Sequence, residues 1–413
     1  MRERFLTQSK LDSQALESFQ HDRLRHLLRA AMHTQFWAER FYQYDVDIEA
    51  EDLDPQIGKL PILTKAEVQQ NASRIINPEI NRRHISWAHT SGTTGAGLVF
   101  PVTRDFVWAQ WAVWWRYRYV HGVNENDWCG YFGGRSVVPI KQNSPPYWRF
   151  NRPGKQIMFS GYHLSEESAE SYVDQIRRSE VQWLHGYPSV LSLLASYIAD
   201  LGLDVGTKIK IVTIGAESLQ SHQKDLIQRA FSCPVRQHYG LAEGVSNISE
   251  FADGKLYVDE DFSLTEFVPG ENETYRIIGS SWYNLAFPLL RYNTGDLAVI
   301  SEPEQFKKPR IVESIDGRKE DLITLPNGRK IGRLDHIFKD LTSIREAQIE
   351  QITIECVKFR IVPNASFDEQ CETELMNEAR KRLGDEIRID IEHCAELKRS
   401  SNGKLRFVVS SLN

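Results

Sequence analysis

The chain has 413 residues, 41% of them hydrophobic and 11% aromatic, which is enough for a sizeable core in two domains or in one large domain with an appendage. Its 50 Lys and Arg residues against 56 Asp and Glu give a formal net charge of −6 without a long basic run, so we expect no nucleic-acid partner. No apolar stretch reaches the roughly 20 residues of a membrane span, and the N-terminal residues lack a secretory pattern, so we expect a cytoplasmic protein without a membrane partner.

The five cysteines stand far apart, at positions 129, 233, 356, 371 and 394. Their odd number and the lack of CxxC spacing argue against a disulfide framework and against a zinc site. We therefore expect reduced thiols.

Helical patterns dominate the first third of the chain. Apolar residues spaced by three and four over residues 10–43 predict one long helix or two short ones. Residues 104–120, RDFVWAQWAVWWRYRYV, are also predicted to be helical. Their four tryptophans form a thick apolar face, which either packs in the core or lines a ligand pocket.

Helix and strand patterns alternate in the middle of the chain. Helices are predicted over residues 165–179, PSVLSLLASYIADLG and SHQKDLIQRAF, with strands at VQWLHGYP, IKIVTIGAES and PVRQHYGLAEG. This alternation predicts a largely parallel sheet with helices on its faces. Because ligands bind beyond the carboxyl ends of such strands, the loops GYPS, GAES and HYGLAEG are candidate site loops.

A different pattern begins near residue 251. The stretches KLYVDEDFSLTEFV, ETYRIIGSSW and LAVIS predict short antiparallel strands, and AQIEQITIECVKFRIVP, a helix over 369–383 and IRIDIEHCAEL predict a small α+β module. The predicted fold class is therefore α/β. A large N-terminal domain, residues 1–315, has mostly parallel sheets flanked by helices and a small antiparallel β subdomain. A small, mobile α+β C-terminal domain spans residues 316–413.

The stretch HTSGTTGAG at residues 89–97 is rich in glycine and hydroxyl groups. A glycine-rich turn can point several backbone N–H groups at one spot, and four Ser and Thr hydroxyls add donors, so the loop can cradle phosphate. No lysine closes it as in GxxxxGK[ST] loops. Such a loop is also typical of a plain surface turn.

Three further loops carry groups suited to a nucleotide. RYNTGDLAVI places Asp296 after a tight turn, where its carboxylate can accept hydrogen bonds from a ribose diol. HYGLAEG places Tyr239, whose ring can stack on a base, four residues before Glu243, whose carboxylate can bind Mg²⁺. SNGKLRF places Lys404 where it can neutralise charge developing at a carboxylate and an α-phosphate. Each residue also has a purely structural alternative. These are an ordinary turn residue for Asp296, a core residue for Tyr239, a surface ion pair for Glu243 and a solvated side chain for Lys404.

This order of motifs resembles the adenylate-forming superfamily of acyl-CoA ligases, luciferases and peptide-synthetase adenylation domains, over roughly residues 85–408. Within it the chain is similar to the phenylacetate–CoA ligase branch, and more closely to capsular-polysaccharide or coenzyme-F synthetase-like proteins. The stretches that carry the closer likeness are YGLAE, KLYVDEDF, PLLRYNTGD, and GRKED followed by NGRKIGRLDHIFKDLTSIREAQIEQ.

The resemblance implies an activity. A carboxylate attacks the α-phosphate of Mg·ATP, giving an acyl-adenylate and pyrophosphate, and a thiol or amine then takes the acyl group after the C-terminal domain has rotated. Coenzyme A is the expected acceptor. An amine or sugar-linked acceptor, giving an amide- or ester-forming ligase in polysaccharide or secondary-metabolite assembly, is the alternative. A non-catalytic nucleotide-binding scaffold is a third hypothesis, and the sequence leaves a homodimer open.

The resemblance also implies residue roles. The nucleotide-binding residues are Thr90, Ser91, Gly92, Thr93, Thr94 and Gly95 at the phosphates, Gly215, Ala216, Glu217, His238, Tyr239 and Gly240 on the adenine side, and Asp296 and Arg318 at the ribose. Glu243 is the implied Mg²⁺ ligand, Lys404 the adenylation lysine and Asp316 the hinge. The implied substrate-binding residues are Tyr131, Phe132, His185 and Tyr187. An aromatic wall suits a ring-bearing or flat acid, whereas the nearby Arg135 and Lys141 suit a polar or anionic one. His185 is equally typical of a buried, hydrogen-bonded histidine.

Three positions depart from the family pattern. Ala96 and Gly97 stand where the phosphate loop usually has Lys and Pro, which should weaken the hold on phosphate while the backbone donors remain. Ala242 replaces the usual Thr or Ser, so one contact to the adenylate is lost. Phe251 stands where relatives often have cysteine, which leaves a structural metal site in doubt.

Overall fold

The computed structural model describes residues 12–90, 97–206, 208–216, 219, 221–270, 274–300, 309–316, 323–331, 334–338, 341, 343–363, 366–395, 397, 408–410 and 412. The chain divides into two compact units. The first unit comprises Met1–Ala88, Val99–Asn124 and His238–Gly317, and the second comprises His89–Leu98, Glu125–Gln237 and Arg318–Asn413. The predicted domains, residues 1–315 and 316–413, group the chain differently, and this boundary stays a prediction.

The first unit begins with helices. The predicted helical stretch forms two helices, α1 (Ser13–Met32) and α2 (Gln35–Gln43), because Thr34 accepts a hydrogen bond from the Trp37 backbone N–H at 3.2 Å and so caps a new helix. Three short helices follow: α3 (Asp54–Gly58), α4 (Lys65–Gln70) and α5 (Ala72–Ile75). A 3₁₀ turn over Arg82–His84 leads into strand β1 (Ile85–His89), which pairs with β2 (Val99–Thr103).

Helix α6 (Arg104–Val120) is the tryptophan-rich helix predicted from the sequence. Its start is capped by Thr103, whose hydroxyl accepts from the Phe106 N–H at 3.2 Å. Trp108 and Trp111 are each 46% exposed, so this part of the tryptophan face does not pack in the core.

The rest of the first unit is antiparallel. The last residues of β8 (Val235–Gly240) pair with β9 (Asn247–Glu250), followed in order by β10 (Leu256–Val258) and β14 (Ile311–Val312). A four-stranded sheet has the order β11 (Ser263–Pro269), β12 (Tyr275–Ser281), β13 (Tyr292–Val299) and β15 (Ser314–Asp316), with antiparallel pairing throughout. The predicted antiparallel subdomain is therefore present.

The second unit contains the parallel sheet. The first residues of β8 belong to this sheet. The strands that follow next to β8 are, in order, β7 (Ile211–Gly215), β6 (Trp183–Gly186), β3 (Cys129–Phe132), β5 (Gln156–Phe159) and β4 (Trp148–Asn151). The pairs β3–β5, β3–β6 and β6–β7 are parallel, and only the edge pair β4–β5 among these is antiparallel. The helices that connect the strands are α7 (Glu166–Arg178), α8 (Pro188–Asp200) and α9 (Ser221–Phe231). Their apolar faces pack with the strands in one core cluster that includes Leu184, Leu191 and Ile214.

The C-terminal part of the second unit is an α+β module. A small hairpin, β16 (Ile323–Thr324) and β17 (Lys330–Ile331), precedes a 3₁₀ turn over Leu334–Phe338. The main sheet has the order β20 (Arg388–His393), β19 (Cys356–Pro363), β18 (Ile344–Thr353) and β21 (Val408–Ser410), and helix α10 (Glu369–Leu383) contributes to its core. The module packs on Tyr162, whose backbone carbonyl accepts from Nη1 of Arg329 at 2.6 Å.

The predicted α/β fold class is confirmed by this combination of a mainly parallel sheet, a small antiparallel sheet and an α+β C-terminal module. Mobility of the module stays a prediction. No helix among the described residues is long and apolar enough to cross a membrane.

Candidate active site

A side-chain hydrogen bond joins β8 to β13 in the first unit. The Tyr239 hydroxyl donates to Oδ2 of Asp296 at 2.9 Å. Burial first, and the Asp296 carboxylate second, raise the pKa of Tyr239 well above its ordinary value, so the phenol stays protonated and remains a donor. The structure thus brings together two residues to which the sequence assigns nucleotide binding.

Asp296 lies on an irregular part of β13. The pairing with β12 shifts register between Arg276 and Ile278, so three residues around Thr294 and Asp296 have a single residue opposite them. Thr294 Oγ1 accepts from the Asp296 N–H at 3.1 Å and donates to the Ile277 carbonyl at 2.9 Å, which fixes this bulge. Bulges of this kind redirect a side chain out of the regular alternation of a strand.

Glu243 lies in the turn that follows β8 and is only 6% exposed. The turn is closed by a hydrogen bond from the Gly244 N–H to the Leu241 carbonyl at 3.1 Å. Gly244 has φ 63°, and a Cβ on it would lie 2.3 Å from Cε2 of Phe106, so the turn requires glycine here. The Tyr292 hydroxyl donates to Oε1 of Glu243 at 3.3 Å, so the carboxylate is held by a neutral donor.

The surroundings of Glu243 fit a Mg²⁺ ion that is bound partly by substrate. Among the described residues, no three or more His, Cys, Asp or Glu side chains are grouped to hold a metal ion. Mg²⁺ in nucleotide sites usually takes one or two carboxylates, with phosphate oxygens and water completing its octahedron. A single buried carboxylate oriented by a phenol meets that requirement.

Two predicted substrate residues, Tyr131 and His185, lie in one row with Thr213 in the second unit. Tyr131, His185 and Thr213 are register neighbours near the carboxyl ends of the parallel strands β3, β6 and β7. Thr213 Oγ1 donates to the Leu184 carbonyl at 3.2 Å and lies 2.8 Å from Nδ1 of His185, so it accepts the Nδ1 proton. This bond fixes the histidine as its Nδ1–H tautomer when the ring is neutral. The rings of Tyr131 and His185 lie 5.8 Å apart between centroids, tilted by 36°.

Two further substrate predictions have different surroundings. Phe132 is fully buried and stacks on Phe159 with ring centroids 4.7 Å apart, which are the contacts of a core residue. Tyr187 precedes α8, and its backbone N–H donates to the Phe132 carbonyl at 3.0 Å. A substrate role for either residue stays a prediction.

The loop after β7 contains an uncommon backbone conformation. Gly215 is the last residue of β7, and the following Ala216 has φ 69° and an exposed side chain. A non-glycine residue in the left-handed region is strained, and such residues concentrate at ligand-binding sites. The nucleotide-binding role of this loop stays a prediction.

Thr90 closes the base of the glycine-rich loop. Its backbone N–H donates to the Leu98 carbonyl at 2.9 Å, and its Oγ1 accepts from the Leu98 N–H at 2.8 Å. Both residues are buried. Two hydrogen bonds thus join the residues on either side of the glycine-rich stretch.

Several predicted site residues lie outside the described residues. These are Ser91, Gly92, Thr93, Thr94, Gly95, Glu217, Arg318 and Lys404. Asp316 is described as the last residue of β15, where it pairs with Leu297. Its hinge role stays a prediction.

His238 lies in an aromatic environment beside Tyr239. Its ring makes an edge contact with Trp114 at 6.0 Å between centroids and a tilted contact with Tyr117 at 5.2 Å. Burial first, and the positive charge of Arg118 second, lower the pKa of His238 to about 3. The imidazole is therefore neutral at ordinary pH.

Sequence reasoning missed four residues that orient the predicted ones. They are Tyr292, Thr213, Trp114 and Asn247, the last being a hydrogen-bond partner of the His238 side chain. Tyr292 lies in the stretch PLLRYNTGD, which carries the family resemblance, so the sequence could have identified it as a candidate site residue. The other three depend on cross-strand or helix–strand contacts that no local pattern marks.

Comparisons with known proteins give a matching family domain and similar folds. Residues 323–411 match the CapK C-terminal domain family. The chain is 27% identical over 367 residues to Protein CapK of Staphylococcus aureus, covering 86% of this chain and 80% of that one. It is also similar to 2-hydroxyisobutyryl-CoA ligase solved with 2-HIB-AMP and CoA in the thioesterification state. That match has a TM-score of 0.57 and 16% identity, and it covers 97% of this chain and 90% of the other.

The chain has the fold of an adenylate-forming ligase. An open conformation of the same 2-hydroxyisobutyryl-CoA ligase gives a TM-score of 0.54 at 17% identity, covering 94% of this chain and 90% of that one. The predicted resemblance to the adenylate-forming superfamily and its capsular-polysaccharide-like members is confirmed by these likenesses. In this adenylate-forming fold, the bonds of Tyr239 with Asp296 and of Tyr292 with Glu243 involve the same motifs that carried the resemblance.

Proposed function

We propose that the chain is an ATP-dependent ligase that activates a carboxylic acid as its acyl-adenylate, releases pyrophosphate and then transfers the acyl group to coenzyme A. One observation carries the proposal: the hydrogen bond between Tyr239 and Asp296 at a strand bulge, in a chain with an adenylate-forming fold. The pair unites two motifs, HYGLAEG and RYNTGD, that are far apart in sequence.

Tyr239 and Asp296 make the main contacts to the nucleotide in this proposal. The neutral Tyr239 ring stacks on the adenine, and the Asp296 carboxylate accepts hydrogen bonds from the ribose hydroxyls. A carboxylate offers about four lone-pair sites, so the bond from Tyr239 is compatible with accepting a diol. The phenol fixes the direction of the carboxylate before ATP arrives, which reduces the ordering cost of binding.

The first half-reaction is a displacement at phosphorus. An oxygen of the substrate carboxylate bonds to the α-phosphorus, and the bond from that phosphorus to the bridging oxygen breaks, so pyrophosphate leaves with the electron pair. Mg²⁺ bound at Glu243 would supply charge neutralisation at the phosphates. Lys404 and the backbone N–H groups of the glycine-rich stretch after Thr90 would supply further positive potential as charge develops.

The acid is expected beside the carboxyl ends of the parallel strands. There the row of Tyr131, His185 and Thr213 offers an aromatic wall with a histidine of fixed tautomer. Ligands of open α/β sheets bind at this end of the strands.

Coenzyme A is the proposed acceptor because 2-hydroxyisobutyryl-CoA ligase, which shares the fold over 90% of its length, was solved with CoA. An amine or sugar-linked acceptor is the second candidate. It follows from the resemblance of stretches such as YGLAE and PLLRYNTGD to capsular-polysaccharide synthetase-like proteins. Both candidates share the adenylation step and differ only in the group that attacks the acyl carbon.

The experiment is pyrophosphate release from ATP and Mg²⁺ over a panel of aryl, aliphatic, amino and hydroxy acids, each with and without CoA. We expect acid-dependent release with at least one class, and acyl-CoA as product when CoA is present. The second candidate would be favoured by two results together. CoA would not accelerate pyrophosphate release, and an amide or ester would form when an amine or sugar is added. A protein that binds ATP but releases no pyrophosphate with any acid would be a nucleotide-binding scaffold.

A further inference from the structure

The first unit contains a cavity of about 570 Å³. None of the described residues that line it has a role in the proposed function. Most of them are apolar, including Ile76, Ile80, Ile85 and Trp87, and Pro101 contributes from β2. Cavities of roughly 300–1,000 Å³ with apolar walls and a few polar groups are typical of small-molecule sites. The cavity therefore has the size and the lining of a site for a small organic molecule.

Hydrogen bonds hold the walls of this cavity in place. Asn77 lines it, and its backbone N–H donates to the Ala286 carbonyl at 3.0 Å while its Nδ2 donates to the Leu285 carbonyl at 3.1 Å. Asn284, in the same loop between β12 and β13, donates through Nδ2 to the Pro101 carbonyl at 3.1 Å. This loop is thus joined to both other parts of the wall. The cavity is therefore formed before a ligand arrives, which lowers the ordering cost of binding.

The cavity carries a positive charge. Among its described lining residues, Arg82 alone is ionisable. Arg82 is exposed in the 3₁₀ turn before β1, and no other described residue forms an ion pair with its guanidinium. Trp87 on β1, which is 56% exposed, adds a large aromatic ring to the lining. A guanidinium binds a carboxylate through two parallel hydrogen bonds, and an aromatic ring supplies a large apolar contact area, so the lining suits an apolar anion.

We propose that this cavity binds a small organic anion, namely an apolar molecule that carries one carboxylate. The carboxylate pairs with Arg82, and the apolar body packs against Trp87 and the isoleucine side chains. A cationic ligand would meet a like charge, and an inorganic anion would leave the apolar walls without a contact. The substrate acid of the proposed function is placed in the second unit, beside Tyr131 and His185, so the cavity is a separate site that does not depend on adenylation.

The test is fluorine NMR of the full chain labelled with 5-fluorotryptophan, without ATP. The protein is titrated with 2-naphthoate and, separately, with the neutral analogue 2-naphthamide. The Trp87 resonance is assigned as the one that is missing from the spectrum of Trp87→Phe. We expect naphthoate to shift this resonance to saturation, with a Kd at least about tenfold below that of naphthamide, because a hydrogen bond between charged groups is stronger than one to a neutral group.

Two matched variants test the role of Arg82. Arg82→Gln should weaken naphthoate binding by about tenfold and leave the Kd of naphthamide unchanged. Arg83→Gln removes the neighbouring exposed charge, which does not line the cavity, and should keep both Kd values within about twofold of the wild type.

The outcomes separate this inference from the proposed function. A Trp87 resonance that naphthoate does not shift, or that both ligands shift at equal concentrations, would overturn the site. So would an equal Kd of naphthoate for Arg82→Gln and the wild type, or an equal loss in Arg82→Gln and Arg83→Gln. All these measurements are made without ATP, whereas the proposed function is judged by pyrophosphate release.

Discussion

Tyr239 and Asp296 stand 57 residues apart in the chain and are joined by a hydrogen bond of 2.9 Å. The register shift between β12 and β13 leaves Asp296 outside the regular ladder, where its carboxylate meets the Tyr239 hydroxyl. The pair is thus a product of strand pairing, and the nucleotide site proposed here depends on it.

Removing this pair should weaken ATP binding. Asp296→Ala should raise the KM for ATP by about 10- to 100-fold, since a partly buried hydrogen-bonding carboxylate contributes roughly 1–3 kcal/mol. Tyr239→Phe should raise it less, by up to about tenfold, because the ring remains for stacking. Initial rates at varied ATP measure both.

The chain offers a matched control for this prediction. Tyr257 donates to Oδ2 of Asp253 at 2.8 Å, and this pair lies at the exposed surface of the same unit. Tyr257→Phe and Asp253→Ala should leave the KM for ATP unchanged. Equal KM values for Asp296→Ala and the wild type would count against the ribose role.

Glu243 should set the magnesium requirement. Glu243→Gln keeps the shape of the side chain but removes the charge, and the half-saturating Mg²⁺ concentration should rise by about tenfold or more. Tyr292→Phe removes only the orienting hydroxyl, so its shift should be smaller. Glu313→Gln, at an exposed position, serves as control. If Glu243→Gln slows the enzyme but leaves the Mg²⁺ titration unchanged, Glu243 is not a Mg²⁺ ligand.

Arg116 should be essential for stability. Its guanidinium lies 2.6 Å from both Asp259 and Asp261, and all three side chains are about 4% exposed. Burial alone would lower the pKa of Arg116, but the two carboxylates raise it above its ordinary value, so the ion stays charged. Arg116→Met leaves two buried carboxylates without their cation and should reduce the free energy of unfolding by about 3–5 kcal/mol in urea titrations.

A surface ion pair provides the comparison. Arg388 lies 2.9 Å from Asp390 with the arginine side chain 72% exposed, and Arg388→Met should change stability by only about 0–1 kcal/mol. If Arg116→Met were no more destabilising than Arg388→Met, the buried ion pairs would not stabilise the packing of α6 against the segment between β10 and β11.

His238 should make the protein sensitive to acid. Its pKa is about 3 when folded, against about 6.5 when unfolded, so its stabilisation is complete above the unfolded pKa and is lost as pH falls. Between about pH 7 and about pH 5, the wild type should lose about 2 kcal/mol more of unfolding free energy than His238→Phe. Urea titrations at both pH values, with the exposed His84→Asn as control, measure the difference. Equal losses in all three proteins would show that His238 is not held neutral.

Much of the fold follows from local pattern. Apolar spacing of three and four predicts α6 and α10, and continuous apolar runs predict β6 and β7. The site loops were predictable because parallel strands place their carboxyl ends at one edge. The bulge at Asp296 and the bond between Asn247 and His238 were not predictable, since they depend on which residue of a partner strand lies opposite. The stretch KLYVDEDFSLTEFV divides into β10 and β11, because Asp259 and Asp261 between them are buried against Arg116.

The most direct test of adenylation follows the substrate oxygen. With an acid whose carboxylate carries ¹⁸O, attack on the α-phosphorus makes one labelled oxygen the bridge of the acyl-adenylate. Acyl transfer then leaves that oxygen in AMP. Mass spectrometry should therefore find one ¹⁸O atom per AMP formed, with none in pyrophosphate. Label appearing in inorganic phosphate, or AMP formed without label while product accumulates, would contradict the account.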